Sequence, residues 1–175
     1  MTPRRAVALG AGALAIALVV AAYALARDRN QAARAQPLAP DLAGALRDAR
    51  PASDPFLTWP EARVALGGHC LRVIVAASET QREEGLRARR DLGPYAGMLF
   101  VNPTDVATAY TMSGAPLPLD LTLFDRDGRP LEHHALEPCS GTISQCPVTR
   151  PSQEYRLALE TPRGTQPVAP LGGCG

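Results

Sequence analysis

"YTMSGAPLPLDLTLFDRDGRPL", residues 110–131, alternates apolar with polar or turn-forming side chains from Leu117 onward. Leu117, Leu119, Leu121 and Leu123 fall on one face, at the period of two that a half-buried strand requires. Asp127-Gly128 then supplies the turn chemistry that folds the chain back into a paired strand. Asp120 sits on the opposite face, directly after Pro118, and alternation alone makes it a solvated carboxylate. This strand and its hairpin set the expectation of a fold built mainly from sheet.

Signals on either side agree. "ARVAL" (62–66) and "CLRVIVA" (70–76) flank Gly67-Gly68, a pair able to take the positive φ of a tight hairpin. In "SETQREEGL" (78–86), Ser78 and Gln81 form a capping-box pattern, and Gly85 limits the helix to about two turns. "GMLFV" (97–101), "VATAYTM" (106–112), "LPLDLTLFD" (117–125), "PLEHHAL" (130–136) and "EYRLALE" (154–160) read as further strands. Seven short strands and one short helix, separated by turn signals, predict a compact β sandwich or small barrel. No fixed-period repeat is present.

The N-terminus carries an address. Arg4 and Arg5 precede an uncharged run, residues 6–26 "AVALGAGALAIALVVAAYALA", which is the layout of an export signal. At about 20 residues such a run also spans a bilayer as a helix, and its length favours a retained anchor over a cleaved signal. Small-x-small sites at Ala24-Leu25-Ala26 and Ala33-Arg34-Ala35 leave cleavage open. Residues 27–55, with Pro37, Pro40, Pro51 and Pro55 among Ala and Arg, read as a tether holding a helical turn or two around 42–46. The globular β domain is expected over residues 56–165, with a flexible tail at 166–175. The implied location is extracytoplasmic: anchored in the inner membrane through residues 6–26 if uncleaved, periplasmic otherwise.

Composition excludes several functions. The formal net charge is +1, and such a chain raises no strong field for nucleic acid. All 18 basic residues are Arg, which removes lysine Schiff-base and general-base chemistry. Four cysteines suit an oxidising compartment. Cys139 and Cys146, in the turn-rich "PCSGTISQCP", are expected to bond; their spacing is too wide for a redox C-x-x-C pair. Cys70 lies in an apolar strand and Cys174 in a Gly-rich tail, and neither is assigned a partner.

A set of motifs in fixed order spans about 90 residues: Arg82, Gly85 and Leu86 (R-x-x-G-L); Gly97, Met98, Leu99 and Phe100 (G-M-L-F); Pro118, Leu119 and Asp120 (P-L-D); Asp127-Gly128; Pro138-Cys139; and Tyr155, Leu157, Leu159 and Glu160. In these the chain resembles the domain of unknown function 192 family, as a divergent member. The resemblance implies a compact, mainly β fold, often exported, and carries no biochemical role. Where the family has W-M-K-N-T, this chain has Thr111-Met112-Ser113-Gly114-Ala115 and keeps only Met112. Arg156 interrupts the last strand's usual pattern, and the tail lacks the family's closing segment.

No residue set announces catalysis. His133 and His134 are neighbours on one strand and point to opposite faces, and His69 stands apart, so no metal site is expected. No motif for a cofactor appears. Arg82, Arg87, Arg89 and Arg90 alternate with Glu83, Glu84 and Asp91, the pattern of a neutralised, solvated face. The candidate residues for a ligand contact or structural anchor are Asp120, Arg82 and Met112, with structural anchor ranked first for Asp120. The expectation is a non-catalytic binding or accessory module of the bacterial envelope, meeting an envelope component or a partner protein. The alternative is a small glycan-acting enzyme using Asp120, for which Glu132 is the best second carboxylate.

Overall fold

The computed structural model describes residues 10–174. The chain divides after Gln36 into two units. The first holds α1 (Gly10–Arg34), a 25-residue helix. The apolar run 6–26 begins outside the described residues. Among the described residues no helix is long and apolar enough to cross a membrane, so the structure gives the expected anchor no support.

The second unit is mainly β and its sheet is not closed into a barrel. Its elements are α2 (Pro40–Arg47), β1 (Arg50–Pro51), β2 (Pro60–Leu66), β3 (His69–Ala76), α3 (Glu79–Glu84), β4 (Gly97–Val106), β5 (Tyr110–Thr111), β6 (Leu119–Phe124), β7 (Pro130–Leu136), β8 (Val148–Thr149), β9 (Tyr155–Pro162) and β10 (Leu171–Gly173). The main sheet runs β1-β2-β3-β4-β9-β6-β7, with β10 also on β2, while β5 and β8 form a separate pair. Only β3 and β4 pair in parallel in the main sheet. A tight turn cannot join parallel strands, and the segment carrying α3 makes that crossover. The two foreseen hairpins are present, with Gly67 and Gly68 at φ 57° and 85° and Gly128 at φ 75°.

Both sheet faces are covered. On one, Ile74, Met98, Phe100, Leu119, Leu121 and Leu123 pack under Phe56, Trp59, Tyr95 and Leu86. On the other, Val73, Val75, Leu99, Phe124, Leu157 and Leu159 pack with Leu42 of α2 and Leu171 of β10. Every residue of β6 is therefore buried, Asp120 and Thr122 included, where alternation alone predicts one wet face.

Three further differences from expectation have physical causes. The expected 106–112 strand is broken into two pieces: β4 runs on to Val106, its pairing with β9 shifting register between Val101 and Val106, and after a gap only β5, Tyr110–Thr111, is strand, paired with β8. Pro103 lies in the interval of the shift and has no N–H to donate to the ladder. Residues 37–55 are not a tether. Leu42 is fully buried, Asp41 accepts a hydrogen bond from the Gly173 N–H at 2.9 Å, and β1 pairs with residues 60–61. Nor is the tail free, since β10 pairs with residues 64–66 beside β1 on the same edge of β2. Leu171 N–H donates to the Gly128 carbonyl at 2.8 Å, and a Cβ on Gly128 would lie 1.9 Å from the Leu171 oxygen. Only glycine admits that approach. A disulfide between Cys70 and Cys174 closes the edge.

Candidate functional site

Residues of three matched motifs, Arg82, Gly85 and Leu86, then Phe100, then Tyr155 and Glu160, meet with Met112 around one cavity of about 640 Å³, while P-L-D, Asp127-Gly128 and Pro138-Cys139 lie outside it. Its first wall is α3. Ser78 and Gln81 form the foreseen capping box, and Gly85 ends the helix at φ 52°, ψ −139°, a backbone state that side chains with a Cβ avoid. One guanidinium nitrogen of Arg82 donates to the carbonyls of Ala77 and, at 3.2 Å, Val101, tying α3 to β4.

The floor is β4 and β9. Gly97 lets these strands close up, because a Cβ there would stand 2.1 Å from the Glu160 carbonyl oxygen. Glu160 pairs with Met98 on one side and Leu121 on the other, and paired residues share a face. Its side chain therefore lies on the Met98–Leu121 face, and it lines the cavity with Phe100, Tyr110, Met112, Ala115 and Tyr155. Phe100 meets Tyr110 edge to face at 5.8 Å between centroids, and Tyr110 lies tilted 6.0 Å from Tyr155. The Tyr155 hydroxyl donates to the Thr108 carbonyl at 2.9 Å.

Glu160 is 6% exposed, and its carboxyl group has no hydrogen bond or ion pair among the described residues. Burial alone pushes its carboxyl up to about 7. Burial also raises both tyrosines above their ordinary value, with the neighbouring Tyr155 adding to the effect on Tyr110. Chemically this is a carboxyl that donates a proton or carries a charge according to small changes near neutrality.

A disulfide loop forms part of the rim. Cys139 and Cys146 are bonded, with Cα atoms 5.9 Å apart. Gly114 N–H donates to the Cys139 carbonyl at 2.9 Å and Ser113 Oγ to the Gly141 carbonyl at 2.9 Å, seating Thr111–Ala115 against the loop. Ile143 of that loop lines the cavity.

Of the residues singled out from sequence, Arg82 and Met112 line this cavity and Asp120 does not. Asp120 lies on the opposite sheet face, where one carboxylate oxygen accepts the Gly164 N–H at 2.7 Å. The other is 3.6 Å from Arg163 Nε and 3.9 Å from His133 Nε2. Glu132 pairs with Leu123, on the face away from Asp120, and is held by His134 and Ser152. The two carboxylates of the enzymatic alternative are thus separated by the sheet. Sequence reasoning passed over Glu160, Tyr110 and Tyr155 as site residues. A signal existed in Glu160 itself, an acid at an inward position of an otherwise apolar strand.

Comparison with known proteins agrees with the motif reading. The pattern of DUF192, described as uncharacterized ACR, matches residues 62–167. The chain belongs to the DUF192 family. Among curated proteins none matches it. A crystal structure of a candidate transcription regulator from Sinorhizobium meliloti 1021 is similar, with 28% identity and a TM-score of 0.57 over 66% of this chain and 95% of that one. A protein of unknown function from Novosphingobium aromaticivorans DSM 12444 shares the fold, with 22% identity and a TM-score of 0.58 over 73% of this chain and 95% of that one. For this DUF192 member, Arg82, Gly85, Leu86, Phe100, Met112 and Glu160 are at once motif positions and cavity wall.

Proposed function

We propose that this DUF192 protein is an exported module of the bacterial envelope that binds a small ligand in the Glu160 cavity without transforming it. The observation that carries this reading is the meeting of Arg82, Gly85 and Leu86 with Phe100, Met112, Tyr155 and Glu160, motif residues distant in the chain, around one cavity of about 640 Å³, a volume in the usual range for ligand sites. Two disulfides use all four cysteines, which suggests an oxidising, non-cytoplasmic location. The basic pair and apolar run at the N-terminus support export. Were this chain to regulate transcription by binding nucleic acid, it would call for a basic face, and a net charge of +1 lends that little. In this reading Asp120 is a structural anchor that ties the chain after β9 to β6 through Gly164 and Arg163.

Thermal melting with the small-molecule fraction of an envelope extract tests the proposal. The fraction should raise the midpoint of the wild type and leave the cavity-filling variant Ala115→Phe unmoved. Asp120→Ala should melt earlier, by about 1 to 3 kcal/mol for lost partners, yet respond to the fraction like the wild type. No response in the wild type overturns ligand binding. Recovery of a chemically altered ligand overturns the non-catalytic part.

A further inference from the structure

The cavity wall also indicates what kind of ligand it takes. Glu160 is 6% exposed and lines the cavity, and its carboxyl group lacks any hydrogen-bond or ion-pair partner among the described residues. Proteins rarely bury a carboxylate without a donor or counter-charge, because desolvation is costly. The partner missing from the protein is the complement of a ligand. Around the carboxylate stand Phe100, Tyr110 and Tyr155, whose π faces attract cations. Glu79 and Glu83 line the same cavity and have no ion pair among the described residues, while Glu84 is paired with Arg89 at 3.2 Å. Of the two arginines on the wall, Arg82 turns one guanidinium nitrogen onto main-chain carbonyls.

We propose that the cavity binds a small organic cation, a primary or methylated ammonium, with the Glu160 carboxylate as its counter-charge and the three rings as its walls. This rests on the cavity being the binding site. An anionic ligand would instead settle on Arg82 or Arg87 and gain nothing from Glu160.

Proton linkage separates a cation from a neutral ligand. The charged and titratable groups that line the cavity with Glu160 are Glu79, Arg82, Glu83 and Glu84 from α3, Arg87 just beyond it, Tyr110 from β5 and Tyr155 on β9 itself, with apolar Met98 and Leu121 on the flanking strands. Both tyrosines are held above their ordinary value and stay neutral, whereas Glu160 sits near 7. A cation needs the ionised form, so its affinity should rise about tenfold from pH 6 to pH 8, following the ionised fraction of such a carboxyl. A neutral ligand accepting the Glu160 proton would show the reverse trend.

Calorimetric titration of the full, disulfide-intact chain decides the matter. The probes are ethanolamine and choline, their uncharged matches ethylene glycol and the tert-butyl isostere of choline, and succinate as an anion. The expected result is binding of one or both cations, about tenfold tighter at pH 8 than at pH 6, with the neutral and anionic probes inert. Glu160→Gln should weaken the cation by about tenfold or more at pH 8. Should that variant fold poorly, the pH series on the wild type carries the test alone. Equal binding of the neutral isosteres, tighter binding at pH 6, or a folded Glu160→Gln that binds as well as the wild type overturns the assignment. If every cation fails while the envelope fraction still protects the wild type, the ammonium is wrong and the binding module stands. If both fail, both fall.

Discussion

At the scale of single residues, two buried glutamates show how context sets opposite signs. Burial pushes Glu61 up, but hydrogen bonds from Tyr95 (2.6 Å), Arg72 (2.6 Å) and Arg50 (2.9 Å) outweigh it and hold the group at about 2. Its stabilising contribution is present above its ordinary 4.5 and is lost as pH falls toward 2. Glu160 is equally buried with nothing to offset the desolvation, so its carboxyl moves from 4.5 to about 7. Between those values the folded state holds more proton than the unfolded chain, and stability falls as pH rises. Glu160→Gln removes the charge and keeps the shape. It should leave stability near pH 4 unchanged and raise it at pH 8 by roughly 3 kcal/mol at most, read from urea midpoints at the two pH values. Equal gains at both would mean that packing, not charge, is responsible. Such a buried liability fits a group kept for binding rather than for folding.

At the scale of elements, the exposed edge of β2 is the part most at risk, since unpaired strand edges invite pairing with other chains. Here β1 covers residues 60–61 and β10 covers residues 64–66. A strand of three residues gains little alone, and Leu171 in the core together with the Cys70–Cys174 bond holds it. That bond joins positions 104 residues apart. A loop of about that length gives a chain-entropy stabilisation near 4.7 kcal/mol, with typical measured values of about 2 to 4. The double variant Cys70→Ser, Cys174→Ser should therefore lower the unfolding free energy by about 2 to 4 kcal/mol in urea. Opening the seven-residue separation between Cys139 and Cys146 closes a far shorter loop and should cost less globally. Finding the two costs equal would show that β10 is not held mainly by its bond.

At the scale of the molecule, the two disulfides suggest an oxidising, non-cytoplasmic location, and the proposed export through the N-terminus is open to direct test. Expression of residues 1–60 fused to a reporter active only after export should give activity; activity confined to a cytosolic reporter would sink the location. Fractionation of the full chain then separates a cleaved signal from an anchor. The packed sheet, covered on both faces, makes a rigid floor for the Glu160 cavity, while the rim is built from the short α3 and a disulfide-closed loop. A site on rigid strands keeps its geometry when ligand is absent.

Local chemistry was legible in the chain because it acts between near neighbours. The Gly67-Gly68 and Asp127-Gly128 turns, the Ser78–Gln81 capping box and the Cys139–Cys146 bond each depend on residues within a few positions. The alternating leucines of β6 likewise identify one buried face. Tertiary structure alone decided what covers the second face, because α2 and β10 reach it from opposite ends of the chain with little periodicity of their own. The chain just after β9 in turn buries Asp120 beside Gly164 and Arg163, a contact 44 residues away for its main hydrogen bond. The same long-range closure brought Arg82, Met112 and Glu160 to one cavity and set Asp120 behind the sheet. Alternation tells which side chains share a face; only the assembled fold tells what that face meets, and so which carboxylate is tied and which is left waiting.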